Sequence, residues 1–430
     1  MIQTIKYPAR STWAEILKRP VSDYAGKQAQ VKGILDSIRI DGDKALSFYT
    51  QKFDGVLLND FGITNDEWNL ADGIDPNLKQ AIDVAIKNIT LFHAAQAEQT
   101  TIIEIAAGIQ CWRKSVGIEK VGLYIPGGTA PLFSTLLMLA IPAQLVGCKE
   151  IVVCTPPDKK GAVSPTILYA AKQLGIKQLY KAGGVQAIGA MAYGTSSIPK
   201  VYKIFGPGNS YVTCAKMLLA MEGIVIDMPA GPSEVAILAD ESCRPDFVAA
   251  DLLSQAEHGI DSQVLLVTDN ETVIDKVNKC IALQIDALPR KEIVITALTN
   301  SKAILVKDLD EGIELVNDYA PEHLIISCNN NESLANNVIN AGSVFLGNYS
   351  PESAGDYATG TNHTLPTNGF AKAYSGVSLD SFIKKITFQK LSQAGLQYIS
   401  ETVKQMALAE GLDAHANAIT IRTNKVYEQL

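Results

Sequence analysis

The fold is decided by the stretch Val121-Gly122-Leu123-Tyr124-Ile125-Pro126-Gly127-Gly128, an apolar run of strand length that passes directly into a glycine turn. Three further strands with the same pattern follow, at Ile151–Cys154, Gln178–Tyr180 and Val201–Phe205. Strands that alternate with helical segments are typical of a parallel sheet whose strands are joined by crossover helices. This part of the chain is therefore predicted to be an α/β domain.

The same alternation is repeated further along the chain. Strand patterns at Val235–Leu238 and Gln263–Val267 are each followed by a helical pattern, from Pro245 to Glu257 and from Glu271 to about Leu283. The predicted fold class is α/β, with two Rossmann-like parallel-sheet domains and small helical segments at the N and C termini.

The two ends of the chain are predicted to be mainly helical. Apolar residues recur three and four apart in Gln28–Phe53 and in Asn77–Ala97. The part after Ser378 holds too little apolar material for a core of its own, so we expect it to pack on another domain or another subunit. The predicted domains are an N-terminal helical segment at 1–20, a first α/β domain at 21–123 with 234–377, a second α/β domain at 124–233, and a C-terminal tail at 378–430.

Composition indicates a globular protein that acts on small molecules. The 430 residues are 47% hydrophobic and 19% charged, which excludes a disordered chain and predicts two or more domains. The formal net charge is −8 and no block of Lys and Arg occurs, so nucleic acids and anionic membranes are not expected as partners.

The sequence predicts a cytoplasmic protein. Its first residues, Met1–Lys6, have neither the apolar core of a signal peptide nor the character of a transit peptide. The longest apolar run, Ala130–Gly147, contains two prolines and predicts a buried helix instead of a membrane span. Seven scattered cysteines form no metal or redox spacing, as expected of reduced structural thiols.

Three glycine turns are candidates for a nucleotide site. They are Pro126-Gly127-Gly128, Gly183-Gly184-Val185-Gln186 and Phe205-Gly206-Pro207-Gly208-Asn209, and each follows a strand pattern. Backbone N–H groups at such turns can bind phosphate, and parallel sheets bind ligands at the carboxyl ends of their strands. None of the turns is a GxGxxG or Walker A loop, so the alternative is that glycine only permits a tight turn.

Histidines indicate a catalytic centre. Four of the five lie in the C-terminal part of the chain, at His258, His323, His363 and His415. Each has an acidic or amide residue nearby, as metal binding and proton transfer require. A single hydrogen-bonded or exposed histidine would carry no such meaning, but four together favour a site.

A metal site is one way to use these residues. Gln255 and His258 are three residues apart in a helical pattern and would share one helix face, where an amide oxygen and an imidazole could bind one cation. Asp356 and His415 could complete a mixed nitrogen and oxygen set, which suits zinc. Because neither HExxH nor paired CxxC occurs, the spacing by itself leaves the presence of a metal open.

Seven long motifs are spread along the chain. They are Tyr124–Gly128, Phe205–Asn209, Asp227–Glu234, Ala256–Gly259, Ala320–Leu324, Gly360–Thr367 and Ala409–His415. In this order they resemble the motifs of the histidinol dehydrogenase family along nearly the whole chain. The first 110 residues and Pro157–Pro165 match that family only loosely.

The resemblance implies an enzyme that oxidises L-histidinol through L-histidinal to L-histidine with two NAD⁺ and one Zn²⁺ per subunit. It also implies a homodimer whose C-terminal segment reaches the partner's active site. The implied zinc ligands, which would also contact substrate together with His323, are Gln255, His258, Asp356 and His415. The remaining implied roles are catalysis for Glu322 and His323, substrate binding for Ser233, His363 and Glu410, and NAD contact in the second α/β domain for Tyr124, Gln186 and Asn209.

The residue types suit that chemistry on independent grounds. Removal of hydride from an alcohol carbon needs a base for the hydroxyl proton, and His323 fits this role. Oxidation of the aldehyde needs water to add to the carbonyl, and Glu322 can activate it. A cysteine thiolate would be the rival nucleophile, but Cys148 and Cys154 have no adjacent histidine or basic run to lower the thiol pKa.

Three alternative functions remain open from the sequence. A related zinc- and NAD-dependent dehydrogenase could act on another small alcohol, although Glu410 and His363 favour histidinol. A zinc hydrolase would also use metal, Glu and His, but it would leave the glycine turns without a purpose. A nucleotide-binding scaffold without activity would not need Glu322 and His323.

Overall fold

A computed structural model describes residues 2–20, 24–127, 131–229 and 231–424. These residues form two compact units, Met1–Gln96 with Ile118–Phe382 and Ala97–Gly117 with Ile383–Leu430. The strands within the described ranges are β1 Gln3–Lys6, β2 Ile102–Ala106, β3 Ile109–Gly117, β4 Lys120–Tyr124, β5 Glu150–Thr155, β6 Gln178–Lys181, β7 Lys203–Phe205, β8 Val225–Ile226, β9 Glu234–Ala239, β10 Gln263–Thr268, β11 Lys302–Leu305, β12 His323–Ser327, β13 Ser343–Leu346 and β14 Ile383–Leu391.

The α-helices connect and cover these strands. In chain order they are α1 Trp13–Ile16, α2 Tyr24–Asp41, α3 Asp43–Asp54, α4 Asn65–Leu70, α5 Pro76–Ala94, α6 Phe133–Leu145, α7 Pro165–Gln173, α8 Gly184–Tyr193, α9 Ser210–Met221, α10 Pro245–Ala256, α11 Glu271–Gln284, α12 Lys291–Thr299, α13 Leu309–Tyr319, α14 Asn331–Ala335, α15 Glu352–Tyr357, α16 Gln393–Ala409 and α17 Asp413–Thr423.

The larger sheet is parallel throughout and has the strand order β1-β11-β10-β9-β12-β13 in the described chain. Every residue of β9, β10 and β12 is buried, which explains their nearly continuous apolar sequences. Helices cover both faces, with α10, α11 and α12 on one core and α13 on the other. Strands β9 and β12, which are separated in the chain by β10 and β11, lie side by side in this sheet.

The smaller sheet is also parallel, with the order β6-β5-β4-β7-β8 among the described strands. Helices α5, α6 and α7 pack on one face, and α2, α8 and α9 pack on the other. The chain reverses its direction of winding between β4 and β7, and such a point leaves a crevice at the carboxyl ends of the two strands.

The second unit is built on an antiparallel sheet of β14, β3 and β2. All nine residues of β14 pair with β3, from Ile383 opposite Gly117 to Leu391 opposite Ile109. Helices α16 and α17 pack against each other in the same unit.

The predicted α/β class with parallel sheets is confirmed, and the boundaries predicted for the domains stay predictions. The helical interpretation of the two ends was wrong in part, because β1 lies within 1–20, β2 and β3 precede residue 120, and β14 follows Ser378. The helix predicted at Gln28–Phe53 is two helices, since Gly42 interrupts it with a φ of 53°.

The apolar run predicted to be a buried helix forms α6, whose residues Ser134 to Ala143 are all buried. No described helix is both long and apolar enough to cross a bilayer. The glycine turns after β6 and β7 lead directly into helices α8 and α9. Gly128 of the first glycine turn and Ala130 of the apolar run lie outside the described residues.

Candidate active site

Glu322 and His323 stand at the amino end of β12, beside the first residue of β9. The backbone N–H of Glu234 donates to Glu322 Oε2 at 2.9 Å, and His323 Nδ1 lies 3.2 Å from the Glu234 carbonyl oxygen. Because that neighbour can only accept, Nδ1 carries the proton in the neutral imidazole. The other nitrogen, Nε2, is buried and has no hydrogen-bond partner.

Asp356 lies at the centre of the histidines. Its Oδ1 is 3.4 Å from His323 Nε2, which is ion-pair distance when the imidazole is charged, although the two atoms make no hydrogen bond in the structure. Burial would raise the pKa of Asp356, but the imidazoles of His323, His363 and His258 outweigh burial and lower it. The structure therefore brings three predicted histidines together around one predicted carboxylate.

Charge and burial oppose each other in the Glu322 and His323 pair. Burial raises the pKa of Glu322 to about 8, although the neighbouring imidazole acts in the opposite direction. Burial also disfavours the charged form of His323, but the carboxylates of Glu322 and Asp356 more than offset it and raise the imidazole pKa. The pKa of Glu322 is thus displaced toward neutrality, which suits proton transfer, whereas the two carboxylates favour the charged form of His323.

Gln255 presents a free amide oxygen from the last turn of α10. Its Nε2 donates to Glu352 Oε1 at 2.9 Å, while its Oε1 is buried without a hydrogen-bond partner. The predicted helix ends at Ala256, so His258 does not share a helix face with Gln255 as predicted. Gly259 disfavours continuation of the helix, and His258 is instead held by a turn hydrogen bond from its N–H to the Gln255 carbonyl at 3.3 Å.

The predicted zinc ligands belong to both units. Gln255, His258 and Asp356 are in the first unit, whereas His415 is in the second. No group of three or more His, Cys, Asp or Glu side chains is arranged to hold a metal ion in the part of the chain that the structure describes. A ligand set that contains an amide, and that takes one ligand from outside the first unit, is consistent with that result. The buried Oε1 of Gln255 suits a cation, because it is an acceptor without a hydrogen-bond donor.

His363 links this centre to α6. Its Nδ1 lies 2.9 Å from the backbone oxygen of Asp356, and its Nε2 lies 3.2 Å from Thr135 Oγ1 of α6. The preceding Asn362 donates its side-chain amide to the Met138 carbonyl of the same helix at 2.7 Å. Burial lowers the pKa of His363, which favours the neutral imidazole.

The remaining predicted substrate residues are in different places. Ser233 directly precedes β9, and its carbonyl accepts from the Gln263 backbone at 3.2 Å. Glu410 and His415 are exposed in the second unit, at the end of α16 and in α17. The roles predicted for these three residues stay predictions.

A cavity of about 780 Å³ lies at the carboxyl ends of the smaller sheet and is lined by Tyr124, Gln186 and Asn209. The Gly184 backbone donates to the Tyr124 hydroxyl at 3.1 Å, and Asn209 Oδ1 caps α9. Gln186 resembles Gln255, because its Nε2 faces a carboxylate, Asp54, at 3.4 Å while its buried Oε1 has no partner. The structure thus groups the three residues predicted to contact NAD.

Gly206 makes the close approach between β4 and β7 at this cavity possible. It has a φ of +122°, and a Cβ atom there would meet the Tyr124 carbonyl oxygen at 2.1 Å. Its N–H donates to Asp227 Oδ2 at 2.8 Å and its carbonyl accepts from Lys216 Nζ at 2.9 Å. Asp227 and Lys216 are themselves a buried ion pair.

Sequence reasoning missed several carboxylates and their partners. Glu234 is buried and bound by Arg19, with Nε to Oε1 at 2.5 Å and Nη2 to Oε2 at 2.9 Å. The Arg19 guanidinium also lies over the Tyr319 ring, 3.9 Å from its centroid. No local pattern could have joined residues 19 and 234. Glu352, in contrast, is four residues before Asp356, a spacing that indicates a shared helix face.

Comparison with known proteins decides the family. The histidinol dehydrogenase family model matches residues 17–423. A histidinol dehydrogenase of Bacteroides thetaiotaomicron is 57% identical over 425 residues, or 99% of each chain, and the chloroplastic one of Arabidopsis thaliana is 51% identical over 95% of this chain and 88% of its own. The chain belongs to the histidinol dehydrogenase family. The crystal structure of histidinol dehydrogenase from Elizabethkingia anophelis superimposes with a TM-score of 0.96, at 53% identity and 98% coverage of each chain.

Membership of the histidinol dehydrogenase family confirms the resemblance seen in the motifs. The family match also includes the region before residue 110, where the motifs matched only loosely. The match to residue 423 includes the second unit with Glu410 and His415. The individual roles of the site residues are not tested by this match.

We predict that Arg19→Met destabilises the protein by roughly 3 to 5 kcal/mol, because it leaves the buried Glu234 carboxylate without its counter-charge. The control is Arg10→Met, which breaks the exposed ion pair with Glu314 and should cost about 1 kcal/mol or less. Chemical denaturation measures both. The double variant Arg19→Met with Glu234→Gln no longer buries an unpaired carboxylate, so it should recover part of the lost stability. Equal destabilisation by the two arginine variants would contradict the prediction.

Proposed function

We propose that this protein is a cytoplasmic enzyme of histidine biosynthesis that oxidises L-histidinol through L-histidinal to L-histidine with two NAD⁺. Family membership supports the reaction, since relatives of 57% and 51% identity carry the name histidinol dehydrogenase. The observation that carries the proposal is the arrangement of His323: its Nδ1 faces the Glu234 carbonyl, and its unpartnered Nε2 is beside Asp356.

The first oxidation needs a base for the alcohol. With its proton on Nδ1, neutral His323 has its lone pair on Nε2, which accepts the hydroxyl proton while the carbon loses hydride to NAD⁺. The carbonyl of Glu234 holds the ring in that tautomer and stabilises the imidazolium that results. The products are the aldehyde, NADH and one proton.

The second oxidation needs water. Addition of water to the aldehyde gives a hydrate that has a second hydride to lose, and its product is the carboxylic acid. Glu322 is next to His323 and has a pKa raised to about 8 by burial, which makes its carboxylate a stronger base than an ordinary glutamate. We assign activation of this water to Glu322.

Zinc would be held by Gln255, His258 and Asp356 of one chain with His415. When bound there, zinc would supply a positive charge that the imidazole and the amine of the substrate could chelate. This charge would offset that of Asp356 and favour the neutral, basic form of His323. Gln255 contributes an oxygen donor that the hydrogen bond to Glu352 orients, and the neighbouring imidazoles lower the pKa of Asp356 and so favour the ionised carboxylate that a metal needs. Ser233, His363 and Glu410 would contact the substrate.

NAD⁺ would occupy the cavity lined by Tyr124, Gln186 and Asn209. Its volume of about 780 Å³ is within the range of small-molecule sites. Helices α8 and α9 begin at this cavity, so the positive ends of their backbone dipoles suit the pyrophosphate.

The rival mechanisms are weaker. Burial raises the pKa of Cys148 to about 11 and raises that of Cys154 further, so neither thiol is ionised enough to act as a nucleophile near neutral pH. A zinc hydrolase would not need the cavity beside Tyr124. Oxidation of another small alcohol is the remaining alternative, and the assay below includes it.

The test is incubation of zinc-loaded protein with L-histidinol and excess NAD⁺ without oxygen, followed by product identification. We expect two NADH for each L-histidine formed, and we expect a chelator to abolish activity until Zn²⁺ is added back. Other amino alcohols serve as controls. Absence of NADH with histidinol, or full activity in metal-free protein, would reject the proposal.

We predict different defects for the two catalytic residues. His323→Asn should lower turnover roughly 10²- to 10⁴-fold through loss of the base, with folding and zinc content unchanged. Glu322→Gln should spare the first oxidation and slow oxidation of supplied histidinal. Single-turnover measurement of the two half-reactions separates these effects, and equal slowing of both by Glu322→Gln would contradict the assignment.

We further propose a homodimer in which each active site receives Glu410 and His415 from the partner subunit. This proposal rests on family membership, on the position of both residues in the second unit and on their exposure within the chain. A zinc site completed by a second chain also agrees with the finding that the described residues contain no arranged group of three or more His, Cys, Asp or Glu side chains.

Mixing two inactive variants tests the shared site. His258→Asn and His415→Asn should each be inactive, and after full subunit exchange half of the dimers are mixed. One site of each mixed dimer then collects both defects and the other is intact, so roughly a quarter of wild-type activity returns. His258→Asn mixed with Asp356→Asn is the control and should recover nothing. No recovery in the first mixture, with exchange verified, would place His415 in the site of its own chain.

A further inference from the structure

Glu352 is a buried carboxylate that the proposed mechanism does not use. It is 2% exposed, at the start of α15, and Asp356 follows one turn later on the same helix. Its Oε1 accepts from Gln255 Nε2 at 2.9 Å, and its Oε2 is 2.8 Å from Ser254 Oγ. One carboxylate thus contacts two consecutive residues at the end of α10.

The hydrogen bond to Glu352 determines which end of the Gln255 amide faces the carboxylate. An ionised carboxylate can only accept hydrogen bonds, so it binds the NH₂ end of the amide and repels the oxygen end. Because an amide is planar, binding of Nε2 fixes where Oε1 points. That oxygen is buried and has no hydrogen-bond partner, as a ligand oxygen should be before it meets a cation.

We propose that Glu352 is a positioning residue that fixes the Gln255 amide so that its oxygen, and not its nitrogen, faces the metal. This inference rests on the proposed zinc site and adds to it the residue that sets the ligand orientation. The amide nitrogen has no lone pair for a metal, so a reversed amide would lose the ligand. Hydrogen-bond partners of metal ligands commonly contribute about 10- to 100-fold to metal affinity. We expect a contribution of that size from Glu352.

The competing explanation is that Glu352 only stabilises the packing of α15 on α10. Glu352→Gln separates the two, because it keeps the size of the side chain but replaces an acceptor-only group by one that donates as well. Gln255 can then turn over and still make a hydrogen bond. Ser254→Ala is the matched control, since it removes the other contact of Glu352 and leaves the amide contact in place.

The experiment measures zinc affinity by competition with a chromogenic chelator on purified metal-free protein. We expect Glu352→Gln to weaken zinc binding about 10- to 100-fold and Ser254→Ala to remain close to wild type. Gln255→Ala should be weakened at least as much as Glu352→Gln. If Glu352 acts through Gln255, the double variant Glu352→Gln with Gln255→Ala should bind zinc no more weakly than Gln255→Ala does.

Two further measurements keep the result interpretable. The thermal midpoint of metal-free protein and its affinity for NAD⁺ should be unchanged in Glu352→Gln, whereas a packing role would lower the midpoint and leave zinc affinity intact. Should Glu352→Gln fail to fold, Glu352→Asp keeps an acceptor-only carboxylate and should lose less zinc affinity than Glu352→Ala.

The outcomes distinguish this inference from the proposed function. Unchanged zinc affinity in Glu352→Gln, or losses that add in the double variant, would overturn the positioning role while leaving the zinc site in place. If the wild-type protein bound no zinc, or if Gln255→Ala bound it normally, the zinc site and the role of Glu352 would both be rejected.

Discussion

The candidate active site depends on the hydrogen bonds of one residue, Glu234, at the amino end of β9. Its backbone N–H and carbonyl bind the side chains of Glu322 and His323, and its own carboxylate is bound by Arg19 and by the Asn368 backbone at 2.8 Å. Since β12 pairs with β9 in the register His323 to Val235, the sheet itself sets the position of the acid and base pair. A slip of one residue would turn His323 to the opposite face.

Much of the fold could be predicted because parallel α/β units have a local signal. Buried strands are short apolar runs, glycine turns follow them, and helices between them show regular apolar spacing. The second unit has no comparable signal. Strand β14 pairs with β3, which is more than 260 residues earlier in the chain, and most of its residues are exposed. Its sequence therefore lacks the buried face by which a strand is predicted.

The site was predictable to the extent that its residues lie in recognisable motifs. Glu322, His323, Asp356 and His363 were found that way, and the structure brings them together. The residues that hold them were not found, because the pairing of Arg19 with Glu234 or of Thr135 with His363 joins segments that are more than 200 residues apart. Such contacts leave no periodicity or spacing in the sequence.

The two parallel sheets place their candidate sites at opposite ends of their strands, and this has an electrostatic consequence. Helices α8 and α9 begin at the cavity beside Tyr124, so the positive ends of their backbone dipoles face it. The acid and base pair is at the amino ends of the larger sheet, where α10 and α15 finish, so Gln255 and Asp356 stand at the negative ends of helix dipoles. The direction of the helices therefore favours anions at the carboxyl ends of the smaller sheet and cations at the amino ends of the larger sheet.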